Sequence, residues 1–316
     1  MALSWLPDGS LDSIRWALDR VAPELSDSNI TLLPWIDQSN PTWWRRSARL
    51  NDGFVAKFAW SKPAAERVWH EAEVLRVLDS LVPAMRTPRL IASSSDPVLL
   101  VSKWVEGTPL TYDQLEAANR RWTERAAKEM ALFLSELHRP QVLAEMEKAI
   151  GSLAMSEPQG TTEAIRRRLS PWLRADQTPL IVKWCDWVDR TLGTPQTPVF
   201  VHGDMHGHNQ VWDPVQPVLR VVVDFEESGV SDAAYDFRYL PSQGPGIELL
   251  VATAASYAEI SGDAIDIARV MAWNIRTVLG DALWRSEAGV PMPDGGTPSD
   301  WVDSLQSRLS ELGTTT

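Results

Sequence analysis

Three oxygen-bearing side chains set the chemistry this chain can do. In Val201-His202-Gly203-Asp204-Met205-His206-Gly207-His208-Asn209, Asp204 and Asn209 lie five residues apart on a short glycine-containing loop. Fifteen residues beyond Asn209, Asp224 ends the apolar run Val218-Leu219-Arg220-Val221-Val222-Val223, which reads as a buried strand. Magnesium takes hard oxygen ligands and keeps part of its shell for phosphates, so one carboxamide and one carboxylate can hold it. Asn209 and Asp224 fit that task. Asp204 is then left to accept or orient the proton of an attacking hydroxyl, the one protein group phosphoryl transfer needs beyond positioning and charge neutralisation.

A rival chemistry shares part of the motif, because Gly203-Asp204-Met205-His206-Gly207 also matches the Gly-Asp-x-His-Gly element of two-metal phosphoesterases. Such a site needs an upstream Asp-x-His and further histidine ligands downstream. The chain has five histidines, His70, His138, His202, His206 and His208; none follows His208, and neither His70 nor His138 stands in Asp-x-His. His202 is therefore expected to tie the loop to the core, and His206 and His208 to shape it.

His-Gly-Asp, four residues, Asn, then a strand ending in Val-Asp resembles the signature of the aminoglycoside phosphotransferase family and the wider kinase-like small-molecule phosphotransferases. The resemblance continues through Val222-Val223-Asp224-Phe225-Glu226 and Ser231-Asp232-Ala233-Ala234-Tyr235-Asp236. It implies a two-lobed, protein-kinase-like α+β fold. Residues 1–104 would form a small antiparallel-sheet lobe that binds the nucleotide, and residues 105–316 a larger, mostly helical lobe for catalysis and acceptor binding. It also implies ATP or GTP as donor, Mg2+ as metal, and structural support of the catalytic loop by His202 and Asp236.

Such a fold needs a lysine and a helical acid in its first lobe. Asn51-Asp52-Gly53 is a hairpin signal, and Phe54 to Trp60 behind it alternates like a strand carrying Lys57. Ala64 to Leu81 reads as a helix with Val68, Ala72, Leu75 and Leu78 on one face. His70-Glu71-Ala72-Glu73-Val74-Leu75-Arg76-Val77-Leu78 resembles the family's Arg-Glu-Ala-x-Val-Leu-x-x-Leu, which makes Glu71 the partner of Lys57 and Glu73 the second choice. Neither a Gly-x-Gly-x-x-Gly loop nor a P-loop occurs. The turn Asp37-Gln38-Ser39-Asn40-Pro41-Thr42-Trp43-Trp44 offers Ser39 and Asn40 as phosphate contacts instead. The apolar run from Val98 into Lys103, Trp104 and Val105 precedes the breaker Glu106-Gly107-Thr108-Pro109-Leu110, so these three are the expected hinge that meets the nucleotide base with backbone groups.

Composition bounds the remainder. With 316 residues and 44% hydrophobic content the chain can bury a large core, and its single cysteine, Cys185, excludes an internal disulfide and points to a reducing, cytoplasmic setting. No apolar run reaches the ~18 residues that span a bilayer. A net charge of −12 argues against nucleic acid. From Asp224 onward there are fifteen acids against five arginines and no lysine, which predicts a cationic small-molecule acceptor. Long helical patterns run from Arg120 to Arg139, Leu180 to Gly193, Gly246 to Ile260 and Ala264 to Ala288. Within the last, Trp273, Asn274, Arg276, Asp281 and Trp284 recur at helical spacing and are expected, with Glu226, to face the acceptor. The expected protein is a small-molecule phosphotransferase, monomeric or a homodimer, that modifies an antibiotic, with a metabolic sugar or amino-alcohol kinase as the alternative within the same chemistry. A nucleotide-binding pseudokinase is disfavoured because no catalytic position is missing.

Overall fold

The computed structural model describes residues 3–34, 40–51, 53–244 and 246–313. Its first part is built on a sheet flanked by two helices. In chain order these are α1 (Leu11–Val21), β1 (Ile30–Leu32), β2 (Arg45–Leu50), β3 (Phe54–Ala59), α2 (Lys62–Leu81), β4 (Leu90–Ser95) and β5 (Val98–Lys103). The strands pair antiparallel in the order β1-β2-β3-β5-β4. The hairpin between β2 and β3 closes at Leu50 and Phe54, with Asn51 at φ 48°, a left-handed conformation that asparagine tolerates.

Both faces of this sheet are covered, which explains why β5 reads as an unbroken apolar run. Leu99 and Val101 enter a small core with Leu6, Ile14 and Leu18 from the α1 side, together with Leu50 and Phe58. Val98 and Leu100 enter the main core with Val68, Leu75 and Leu78 of α2. Each such leucine or phenylalanine contributes about 1.5–3 kcal/mol by leaving water. In β3, Ala56 and Phe58 belong to the α1 side, so period-two alternation turns Lys57 toward the other face.

Helix starts follow their caps. α2 begins two residues before the expected Ala64, because Ser61 accepts the Ala64 N–H and Pro63 occupies the first turn. α1, which the periodicity reading passes over, carries the same kind of signal: Ser10 accepts from Ser13, and Ile14, Ala17 and Leu18 are buried.

The second part is mostly helical. It comprises β6 (Thr108–Pro109), α3 (Tyr112–Glu116), α4 (Arg120–Leu137), α5 (Pro140–Ile150), α6 (Thr162–Arg168), α7 (Thr178–Leu192), β7 (Val199–Val201), β8 (Gln210–Trp212), β9 (Leu219–Val222), β10 (Gly229–Ser231), α8 (Leu240–Gln243), α9 (Glu248–Ser261), α10 (Ile267–Ala288) and α11 (Pro298–Glu311). The four long helices occur where the periodicity places them. α10 starts at Ile267, not Ala264, because Asp266 caps it through the Ala268 and Arg269 N–H groups. Small antiparallel ladders, β7 with β10 and β6-β8-β9, hold the loops between these helices. A sheet lobe joined to a larger helical lobe gives a two-lobed α+β fold. Among the described residues, no helix is long and apolar enough to cross a membrane.

Candidate active site

The loop after β7 is fixed from below by a buried carboxylate. Asp236, 1% exposed, accepts the His202 N–H at 2.8 Å on Oδ2 and the Gly203 N–H at 3.0 Å on Oδ1. His138 meets the same Oδ2 at 3.1 Å. Burial would raise the Asp236 pKa, but the hydrogen bond to His138, with the loop donors, holds it below the ordinary value. His202 accepts the Asp204 N–H on Nδ1, so its Nε2, 3.0 Å from the Val223 carbonyl, carries the proton and donates there. Burial depresses its pKa, which matches a neutral ring used as a brace. Gly203 takes φ +85°, and a Cβ there would overlap the Glu227 carbonyl, so glycine lets the loop pass against the segment after Asp224.

Asp204 is held on both oxygens. Tyr239 donates its hydroxyl to Oδ1 at 2.8 Å, and Asn209 Nδ2 donates to the Asp204 carbonyl at 2.9 Å and to Oδ2 at 3.2 Å. His206 Nε2 lies 3.3 Å from Oδ2. Burial pushes the Asp204 pKa up, but His206, Arg238 and Tyr239 together bring it well below the ordinary value, so the carboxylate is ionised and ready to accept. The buried Arg238 lies 3.9 Å from Oδ1 and donates to the Gly203 carbonyl at 2.5 Å.

The β8–β9 hairpin brings Asn209 to Asp224. Gln210 pairs with Val222, and the Val223 N–H bonds the Asn209 carbonyl at 2.9 Å, so the two side chains leave the same end of one ladder. Asp224 sits at φ 70°, ψ 62°, a left-handed conformation rare outside glycine and typical of a side chain aimed by its surroundings. From the sheet lobe, Lys57 reaches Asp224 Oδ1 at 2.7 Å and Glu71 Oε2 at 2.5 Å. Burial alone would lower the Lys57 pKa, but the charges of Asp224 and Glu71 outweigh it and raise the pKa. Glu71 Oε1 accepts the Phe225 N–H at 3.3 Å, so the helix acid grips both the lysine and the segment carrying Asp224.

The donor set suits a hard divalent cation. Carboxylate oxygens of Glu71, Asp224 and Glu226 lie within 4.8 Å of one another, and the buried Glu226 Oε2 has no hydrogen-bond partner. With Asn209 Nδ2 committed to Asp204, its Oδ1 accepts no hydrogen bond among the described residues.

Other expected residues lie elsewhere. Ser39 falls outside the described residues, and Asn40 caps the turn Pro41–Trp43 by accepting the Thr42 N–H. After β5, the Lys103 and Trp104 N–H groups bond the Arg89 and Gly53 carbonyls, while the Val105 N–H makes no hydrogen bond among the described residues. The expected stripe on α10 is engaged within the protein to differing degrees, with Trp273 and Asn274 buried and Arg276, Asp281 and Trp284 half-buried. Trp273 is 7% exposed and donates its indole N–H to Asp232, while the buried Asn274 donates to the Arg238 carbonyl and Ser242. Arg276 pairs with Glu157 at 2.7 Å, and Asp281 pairs with Arg285 one turn along, beside Trp284. Helical spacing found one side of α10, but the Asp232–Tyr235 turn and α8 cover part of it. Glu226 is likewise buried, against Arg45 and Arg67. Many acids of the carboxyl-terminal region are engaged too: Asp232 with Arg269, Glu287 with Arg168, Asp303 with Arg174.

Sequence reasoning missed Tyr239, Arg238 and Arg45. Tyr239 stands three residues after Asp236, one turn on, which is a usable signal. Arg45 left none, since its pairing depends on a residue 181 positions away.

The fold and the site are those of a kinase-like phosphotransferase. Residues 31–273 match the phosphotransferase enzyme family, and the chain belongs to it. It is 29% identical to the viomycin phosphotransferase of Streptomyces vinaceus over 213 residues, covering 65% of this chain and 68% of that protein. The GDP complex of aminoglycoside 2'-phosphotransferase-IIIa has the same fold, with a TM-score of 0.68, 18% identity, and 96% of this chain and 98% of the other covered. A macrolide 2'-phosphotransferase from Brachybacterium faecium superposes with a TM-score of 0.58 at 18% identity, over 93% of this chain and 98% of that one.

Proposed function

We propose that this chain transfers the γ-phosphoryl group of ATP or GTP to a hydroxyl of an antibiotic. One observation carries it: Lys57, held by Glu71, meets Asp224 167 positions later in the other lobe, and Asn209, bonded to Asp204, is tied to the residue before Asp224 by the Val223 N–H. Asp204, already ionised, receives or orients the acceptor's hydroxyl proton through the unfilled acceptor direction on Oδ1. Lys57, steered by Glu71, contacts the donor phosphates, and the Val105 N–H addresses the base. Asn209 and Asp224 would hold Mg2+, which when bound neutralises developing phosphate charge. Residues 1–104 form the nucleotide-binding lobe and residues 105–316 the lobe for catalysis and acceptor binding.

Support for an antibiotic acceptor comes from the relatives, which act on viomycin, aminoglycosides and macrolides by name. An aminated, cationic molecule suits the net charge of −12, whose long-range field persists where single acids are paired.

The test is a nucleotide-consumption screen with ATP and GTP, with and without magnesium, against aminoglycosides, peptide antibiotics, macrolides, nucleoside antibiotics and amino sugars. Asp204→Ala, run beside the parent on the best acceptor, should lose orders of magnitude in turnover while binding nucleotide nearly as before. Retention of more than about a tenth of parental turnover at saturation would remove Asp204 from the chemistry.

A further inference from the structure

Beside Lys57, the donor side of the cleft holds a second half-buried cation, Arg45. Segment 37–44 contains no glycine. β2 starts immediately after it, with Arg45. The register Arg45 to Ala59 and Ser47 to Lys57 puts Arg45 and Lys57 on one face of the sheet. Its guanidinium lies 4.6 Å over the Trp43 ring and pairs with Glu226, and its side chain is 14% exposed. Glu226 also meets Arg67 at 3.4 Å, and its carboxylate stands within 4.8 Å of those of Asp224 and Glu71. Arg45 therefore borders the carboxylate cluster that a magnesium-bound triphosphate must enter. Arg67 is shared between Glu226 and Glu227.

A planar guanidinium stacked on an indole is preorganised for bidentate binding of phosphate oxygens. Its carboxylate partner is one that a terminal phosphate, more highly charged, can replace. Glu226 would keep Arg67 after such an exchange, so no buried carboxylate is stranded.

We propose that Arg45 is a donor-phosphate contact that exchanges Glu226 for the terminal phosphate of the nucleoside triphosphate, Glu226 being the placeholder that keeps the guanidinium in the cleft between turnovers. This role rests on the phosphotransferase function proposed above. The alternative is an ion pair that only joins β2 to the Phe225–Glu227 turn.

Affinities for a non-hydrolysable ATP analogue (or the GTP analogue, if GTP is the donor) and for the corresponding diphosphate, at fixed magnesium, distinguish the two. Arg45→Gln should weaken triphosphate binding roughly 10- to 100-fold, the range for losing a charge-assisted pair, with diphosphate affinity nearly unchanged. Arg45→Lys should recover part of the loss. The double variant Arg45→Gln/Glu226→Gln, which leaves no unpaired carboxylate behind, should show the same selective loss, and Glu226→Gln alone should bind triphosphate several-fold more tightly. Equal effects on both nucleotides, or none, would overturn the proposal, as would a loss of triphosphate affinity in Glu226→Gln. A parent that binds neither nucleotide is a separate result, and it overturns the function on which the role rests.

Discussion

Asp236→Asn should detach the catalytic loop from its support, and the structure gives the size of the effect. The substitution keeps volume but exchanges one carboxylate oxygen for an amide that donates. If the remaining oxygen faces the Gly203 N–H, the new amide faces the His202 N–H, donor against donor. His138 can adapt by changing tautomer, because its Nδ1 lies 3.2 Å from the Tyr257 hydroxyl, which both donates and accepts. The His202 N–H has no such recourse at a buried position. Leaving it unpaired costs about 1–3 kcal/mol, and turning the Gly203 bond from charged to neutral costs about another 1 kcal/mol, for a total near 3 kcal/mol. Urea unfolding monitored by tryptophan fluorescence measures this directly. The sign with pH follows from the depressed Asp236 pKa: its contribution is full above the unfolded value of about 3.9 and is lost as pH falls through the folded one. The stability deficit of the variant should therefore be largest near neutrality and shrink below about pH 4. Turnover should fall more than nucleotide affinity, since the loop carries Asp204 and not Lys57. A deficit under about 1 kcal/mol that does not change with pH would refute the idea that Asp236 carries the loop.

Two further substitutions probe what surrounds the site. Tyr239→Phe removes the hydroxyl that fixes Asp204 Oδ1 and should lower kcat about tenfold or more with little change in nucleotide KM; equal kcat in parent and variant would make the contact incidental. Trp273→Phe deletes the bond to Asp232, which still has Arg269, and leaves a cavity where the larger indole was, so stability should drop by about 2 kcal/mol or more while acceptor KM stays put. A raised acceptor KM would return α10 to the acceptor surface.

The chemistry of this chain was legible in one dimension because its parts are local. Asp204 and Asn209 share one loop, Asp224 ends the adjoining strand of the same hairpin, and Lys57 and Glu71 sit on a strand and the helix that follows it, where spacing and residue type carry the information. The long helices were legible for the same reason, since burial of one face imposes a period of 3.6. Pairings across the fold were not. The partners of Glu226, the placement of Tyr239 against Asp204, and the burial of Trp273 and Asn274 depend on which elements pack over which, and residue type alone is silent on that. Trp273 shows the limit most clearly: helical spacing says that it shares a side of α10 with Arg276 and Trp284, but only packing decides whether that side meets the Asp232 turn, another crevice or the cleft. The total charge of −12 is a property of composition and survives ion pairing, whereas the tertiary structure decides where on the surface its unpaired acids lie.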